Sequence, residues 1–226
     1  MIKYANIVAN ITTLRDQAQN ILEIGSRDGH DAEKLRKAFK INSKRVYLVE
    51  ANPDQIPKIE KNYPNVNVFN FAISNHKGEA TFNKVLSSEH EIRIGTSSLM
   101  DRPKFYADKV EMIKVPTFTG KDLLDKIHEE EIDLCKIDVE GHTFEVLEGF
   151  GDDLQRIKTM HIECEHVQKW KGQKIYEENR SFLENKGFTQ IFFMYVWGGI
   201  VQSDSVWARN DILKGAKSLA AGYTGY

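Results

Sequence analysis

Two carboxylates and a histidine surround one glycine in Asp138-Val139-Glu140-Gly141-His142, directly after the apolar run Ile132–Cys135. Acids at such a place can orient a hydroxyl, hold a metal or carry a proton, and His142 can act as a general base. A second group, His161-Ile162-Glu163-Cys164-Glu165, alternates like a strand, so His161, Glu163 and Glu165 share one side. If the two segments are neighbouring strands, Asp138 and Glu163 offer oxygen ligands to a hard cation such as Mg²⁺. A local hydrogen-bonded pair of His161 and Glu163 is the alternative. Far upstream, Gly25 and Gly29 bracket the turn Glu23-Ile24-Gly25-Ser26-Arg27-Asp28-Gly29. Glycines there let the backbone approach a ligand closely, and a helix starting at Asp28–His30 offers unpaired N–H groups. Arg27 stands where a dinucleotide fingerprint has its middle glycine, so the spacing does not support a pyrophosphate. Glu50 ends an apolar run about 25 residues beyond Gly25, where an acid can accept both hydroxyls of a ribose.

These residues need a scaffold that brings distant chain segments to one edge. Apolar residues near helical spacing predict a leading helix over about Tyr4–Asn20, within residues 1–20. Ile21–Ile24 reads as a strand, His30–Lys40 as a helix, Arg45–Val49 as a second strand and Asn65–Ile73 as a third. Pro53 is expected to open a helix, since an interior proline loses a hydrogen bond and clashes. This βαβαβ order with short connections predicts an α/β fold with a doubly wound, mostly parallel sheet. Glu79–Leu86 and Val110–Thr117 alternate as strands, so residues 86–115 read as a β insertion whose loop, with Gly95-Thr96-Ser97-Ser98, covers the site. Helices are expected at Lys121–Glu130, Phe144–Phe150 and Gln173–Lys186, and strands at Ile132–Asp138 and Ile157–Glu163. Gln190–Trp197 and Ile200–Ala208, joined by Gly198-Gly199, predict a terminal antiparallel hairpin before a loosely ordered tail over 215–226.

The 226 residues carry a formal net charge of −2, with 41% hydrophobic and 28% charged residues. Such a balance fits one globular domain over 1–226 and gives no reason to expect nucleic acid as a partner. Neither a membrane span nor a signal peptide is legible, and Cys135 and Cys164 read as reduced core residues of a cytoplasmic protein. A homo-oligomer is compatible with this composition. The absence of P-loop and nucleophile-elbow patterns removes two common chemistries.

Together the motifs resemble the FkbM-type methyltransferases. The resemblance runs from about Asn20 to Glu165, through Glu23–Gly29, Val49-Glu50-Ala51-Asn52-Pro53, Phe71-Ala72-Ile73-Ser74, Thr96-Ser97-Ser98-Leu99 and Lys136-Ile137-Asp138-Val139-Glu140-Gly141. It implies a Rossmann-like class I fold and transfer of a methyl group from S-adenosylmethionine to a hydroxyl of a sugar or small natural product. Glu23, Gly25, Ser26, Asp28, Gly29, Glu50, Ala51 and Ala72 would then bind the cofactor. Asp138 would be central to catalysis, with Glu163 or His142 activating the hydroxyl. Two positions depart from the family's habit. Gly-Ser-Arg-Asp-Gly stands where Gly-Ala-Asn-x-Gly is common, and Thr143 replaces a frequent acid. A metal-dependent glycosyltransferase, suggested by Asp138-x-Glu140, and a catalytically silent binding module are the other classes considered.

Overall fold

The computed structural model describes residues 1–87, 96–101, 109–196 and 201–214, with only the backbone at Ile2 and Ser87. Gly95, the Gly198-Gly199 turn, the tail 215–226 and most of the loop within 86–115 lie outside the described residues. Seven strands form the main sheet: β1 (Ile21–Ile24), β2 (Val46–Val49), β3 (Asn67–Phe69), β7 (Ile132–Ile137), β8 (Ile157–Glu165), β9 (Phe188–Tyr195) and β10 (Gln202–Arg209). Their order is β3-β2-β1-β7-β8-β10-β9. The pairings among β3, β2, β1, β7 and β8 are parallel, whereas β10 is antiparallel to both its neighbours. β1 and β7 are buried along their whole length, as strands covered on both faces must be.

Helices α1 (Ile2–Ile11), α2 (His30–Phe39) and α3 (Ile56–Asn62) cover one face. They bury Tyr4, Val8, Leu35 and Ile59 against Ile21, Leu48 and Leu134. Helices α4 (Gly120–Ile127), α5 (Thr143–Phe150) and α6 (Tyr176–Asn185) cover the other. Leu123, Leu147, Phe150 and Leu183 pack there against Leu22, Cys135 and Ile162. Both cysteines are buried and free. Among the described residues, no helix is long and apolar enough to cross a membrane.

The structure corrects several boundaries. The leading helix stops at Ile11. Thr12 turns its hydroxyl back to the Val8 carbonyl at 2.7 Å and bridges to Leu213, leaving residues 13–20 irregular. Pro53 sits in a turn, and it is Pro57 that occupies the first turn of α3. The expected strand Asn65–Ile73 breaks in two. Asn70 donates from Nδ2 to the carbonyl of Glu50 at 2.9 Å, which ends β3 and lets β4 (Ala72–Ile73) leave the main sheet. β4 joins β5 (Gly78–Ser87) and β6 (Lys109–Phe118) in a separate three-stranded sheet, order β4-β6-β5. The insertion is therefore a second sheet beside the first.

Candidate functional site

The strand order reverses direction between β1 and β7, and the carboxyl ends of β1, β2 and β7 meet one cavity there. The turn after β1 fits only glycine at its first position. Gly25 has φ +79°, and a Cβ there would lie 1.8 Å from the carbonyl oxygen of Asp138. The β7 turn thus rests directly on the β1 turn. Arg27 also takes a left-handed φ, +51°, and its N–H donates to Glu50 Oε2 at 2.7 Å. Glu50 Oε1 accepts the N–H of Asn52 at 2.7 Å, so this one carboxylate pins two turns. Burial pushes its pKa up to about 7, against the pull of those backbone N–H groups. A carboxylate offers about four acceptor positions, which leaves Glu50 room for a ligand's hydroxyls.

Gly25, Glu50, Ala51 and Ala72 line the cavity, together with Asp138 and His142. The other residues expected to touch a cofactor stand behind that wall. Glu23 is buried, accepts the N–H of Ala32 at 3.1 Å and meets Lys136 Nζ at 3.4 Å. Ser26 is buried with its hydroxyl unpartnered. Asp28 is exposed and accepts the N–H of His30, while Gly29 is the N-cap of α2. These four shape the turn that carries Gly25.

His142, expected as a general base, lines the cavity. Its Nε2 lies 3.1 Å from Ser74 Oγ, and burial pulls its pKa down to about 4. It is a neutral imidazole with Nε2 engaged, on the cavity wall that Ile73 also lines. Glu145 Oε2, 3.6 Å from His142 Nδ1, has its own pKa raised by burial.

The acids converge as the strand pattern requires. One carboxylate oxygen each from Asp138, Glu140 and Glu163 lie within 4.8 Å of one another. Burial first, then the charges of Asp138, Glu140, Asp204 and Glu165, holds the Glu163 carboxyl well above the usual range. The His161–Glu163 pair does not form. His161 stacks on Tyr4 and points Nε2 towards Asp204 at 3.4 Å, whereas Glu163 accepts from Gln202 and Glu165 from Gln173. Thr143, in place of the family's acid, donates to the carbonyl of Glu163 at 3.2 Å.

Contacts of Lys136, Ser98 and Gly141 go beyond what the motifs predict. Lys136 meets three carboxylates: Asp31 at 2.9 Å, Asp138 at 3.0 Å and Glu23 at 3.4 Å. Its position two residues before Asp138, on the same strand face, was the available signal. Ser98, in the segment 96–101, donates to the Glu140 carbonyl at 2.7 Å, bridges to Asn83 of β5, and lines the cavity. Glu140 itself takes a left-handed φ of +50°. Gly141 then packs beneath Trp170, where a Cβ would sit 2.1 Å from the indole.

This strand order and the acid at the end of β2 define the fold of the class I S-adenosylmethionine-dependent methyltransferases. The chain belongs to the FkbM methyltransferase family, whose domain matches residues 23–189. It superposes on the methyltransferase FkbM of Methylobacillus flagellatus KT with a TM-score of 0.53 at 9% identity, over 84% of this chain and 43% of that one. For TrmK of M. capricolum in complex with S-adenosyl-homocysteine, the TM-score is 0.51 at 14% identity, covering 91% and 67%. An rRNA methylase of Streptococcus thermophilus gives 0.51 at 11% identity, covering 92% and 95%. At such identities the likeness is one of fold. No curated protein matches the chain significantly.

Proposed function

We propose that the chain binds S-adenosylmethionine in this cavity and methylates a hydroxyl of a sugar or small natural product. One observation carries the reading: the cavity walled by Glu50 and Ala72 runs into the Asp138–Glu140–Glu163 cluster, with Asp138 and Glu140 belonging to both. The residues fit the cofactor. Glu50 has acceptor capacity for ribose hydroxyls, and Phe71, Ala72 and Ile73 offer an apolar wall for an adenine. When bound, S-adenosylmethionine supplies a methyl group already activated on a sulfonium. The protein's task is then to align the acceptor and receive its proton. An acceptor oxygen that gains a methyl group must lose its hydrogen, and Asp138 and Glu163 are placed to take it. Burial and neighbouring acids raise the proton affinity of the Glu163 carboxylate, which must be ionised before it can take that proton. His142 instead braces Ser74 beside the apolar wall.

Calorimetric titration with S-adenosylmethionine, alongside UDP-sugar and NAD controls, tests this reading. Micromolar binding that disappears in Glu50→Ala is expected. No binding, or UDP-sugar binding that requires Mg²⁺, would sink it. A Mg²⁺ ion on Asp138 and Glu163 is a second reading, favoured by the convergence of their oxygens with one from Glu140. Repeating the titration with Mg²⁺ and with EDTA decides it, since a Mg²⁺-bound site loses affinity on chelation.

A further inference from the structure

Lys136 is 6% exposed and lies in the middle of the sheet, with Glu23 of β1 and His161 of β8 beside it in register. Its Nζ meets carboxylates from three places: β1 (Glu23), the first turn of α2 (Asp31) and the end of β7 (Asp138). Two of these elements flank the Gly25–Gly29 turn, and the third carries the acid on the cavity wall. Asp138 is otherwise held through its backbone, by its N–H on the Ile24 carbonyl at 3.0 Å. Its carboxylate also faces Glu140 and Glu163, so like charges on that side would drive it away from the wall.

We propose that Lys136 is a positioning residue for methyl transfer: by holding the Asp138 carboxylate against its neighbours, it fixes that group at the cofactor's reactive end and ties it to the glycine turn. The proposal rests on the methyltransferase reading. Asp31 joins the same ammonium from α2, so the start of the helix behind the glycine turn and the acid on the cavity wall share one anchor. A neutral side chain at 136 would leave Asp138 free to turn from the cavity and Glu23 buried without its cation.

A double-mutant cycle separates these effects. Wild type, Lys136→Met, Asp138→Asn and the double variant are titrated calorimetrically with S-adenosylmethionine, after thermal unfolding confirms that each is folded. Lys136→Met is expected to weaken binding by about tenfold in the wild-type background and by less than about threefold beside Asp138→Asn, because the two residues then act as one unit. Equal losses in both backgrounds, or no loss at all, overturn the proposal and leave Lys136 as a support of Glu23 alone. If Lys136→Met fails to fold, the cycle is run on Glu23→Gln, which removes the carboxylate stranded by that change. Absence of binding by the wild type itself overturns the methyltransferase reading, whereas wild-type binding with equal losses overturns only the role of Lys136.

Discussion

At the scale of single residues, the site depends on backbone conformations as much as on charge. Gly25→Ala would place a methyl group against the Asp138 carbonyl at a left-handed φ, and two backbones cannot both yield. A loss of more than about 2 kcal/mol in urea unfolding is expected, with loss of cofactor binding. Arg27 holds φ +51° where the family commonly has Asn, a residue better suited to that region. Arg27→Asn should raise stability by about 0.5 kcal/mol, read from the urea midpoint, and should keep the N–H bond to Glu50. Glu50 sets a pH dependence. Its carboxyl is raised from 4.5 to about 7 in the fold. Between those values the native state keeps a proton that the unfolded chain has released, so stability falls as pH rises through the window. Thermal scans from about pH 5 to about pH 8 should show a smaller fall for Glu50→Gln, the difference being at most on the order of 3 kcal/mol. The same variant should lose affinity for S-adenosylmethionine. Glu50, Gly25 and Asp138 were legible because strand-end acids and turn glycines are local signals. The triple contact of Lys136 was not, since Glu23 and Asp31 reach it only through parallel pairing of distant segments.

Among the elements, the apolar run Asn65–Ile73 shows what periodicity leaves open. Its hydrophobicity fits one strand or two, and the decision falls to Asn70, whose amide caps the carbonyls of Glu50 and Ala51. The leading helix was overextended for a related reason. Leu14 and Ala18 are buried as the pattern required, but from a turn that Thr12 begins. The hairpin of β5 and β6 was legible from alternation, whereas its membership of a separate sheet depends on β4. That sheet is fastened to the turn after β7 by Ser98, whose hydroxyl donates to the Glu140 carbonyl and accepts the N–H of Met100 at 2.9 Å. Ser98→Ala should therefore loosen the segment 96–101. Hydrogen exchange at Met100 is expected to accelerate about fivefold, the equivalent of one net hydrogen bond, while β7 keeps its protection.

For the molecule as a whole, a ligand that binds only the folded chain must stabilise it. At about a hundredfold above its Kd, S-adenosylmethionine should add about 2.7 kcal/mol, or roughly 5–10 °C in Tm for a chain of this size. Equal shifts with NAD or a UDP-sugar would contradict the assignment of the cavity. The pairing of β1 with β7 has a further consequence, for the order of events during synthesis. Ile21 lies beside Leu134, and the carbonyl of Asp138 beside Gly25, so the two walls of the cavity leave the ribosome far apart in time. A nascent chain that has emerged only through β6 already carries the glycine turn and Glu50, yet lacks the strand on which that turn rests. Cofactor capture by ribosome-bound chains of increasing length would then begin only once β7 and β8 have emerged, which makes S-adenosylmethionine a reporter of when the central sheet closes.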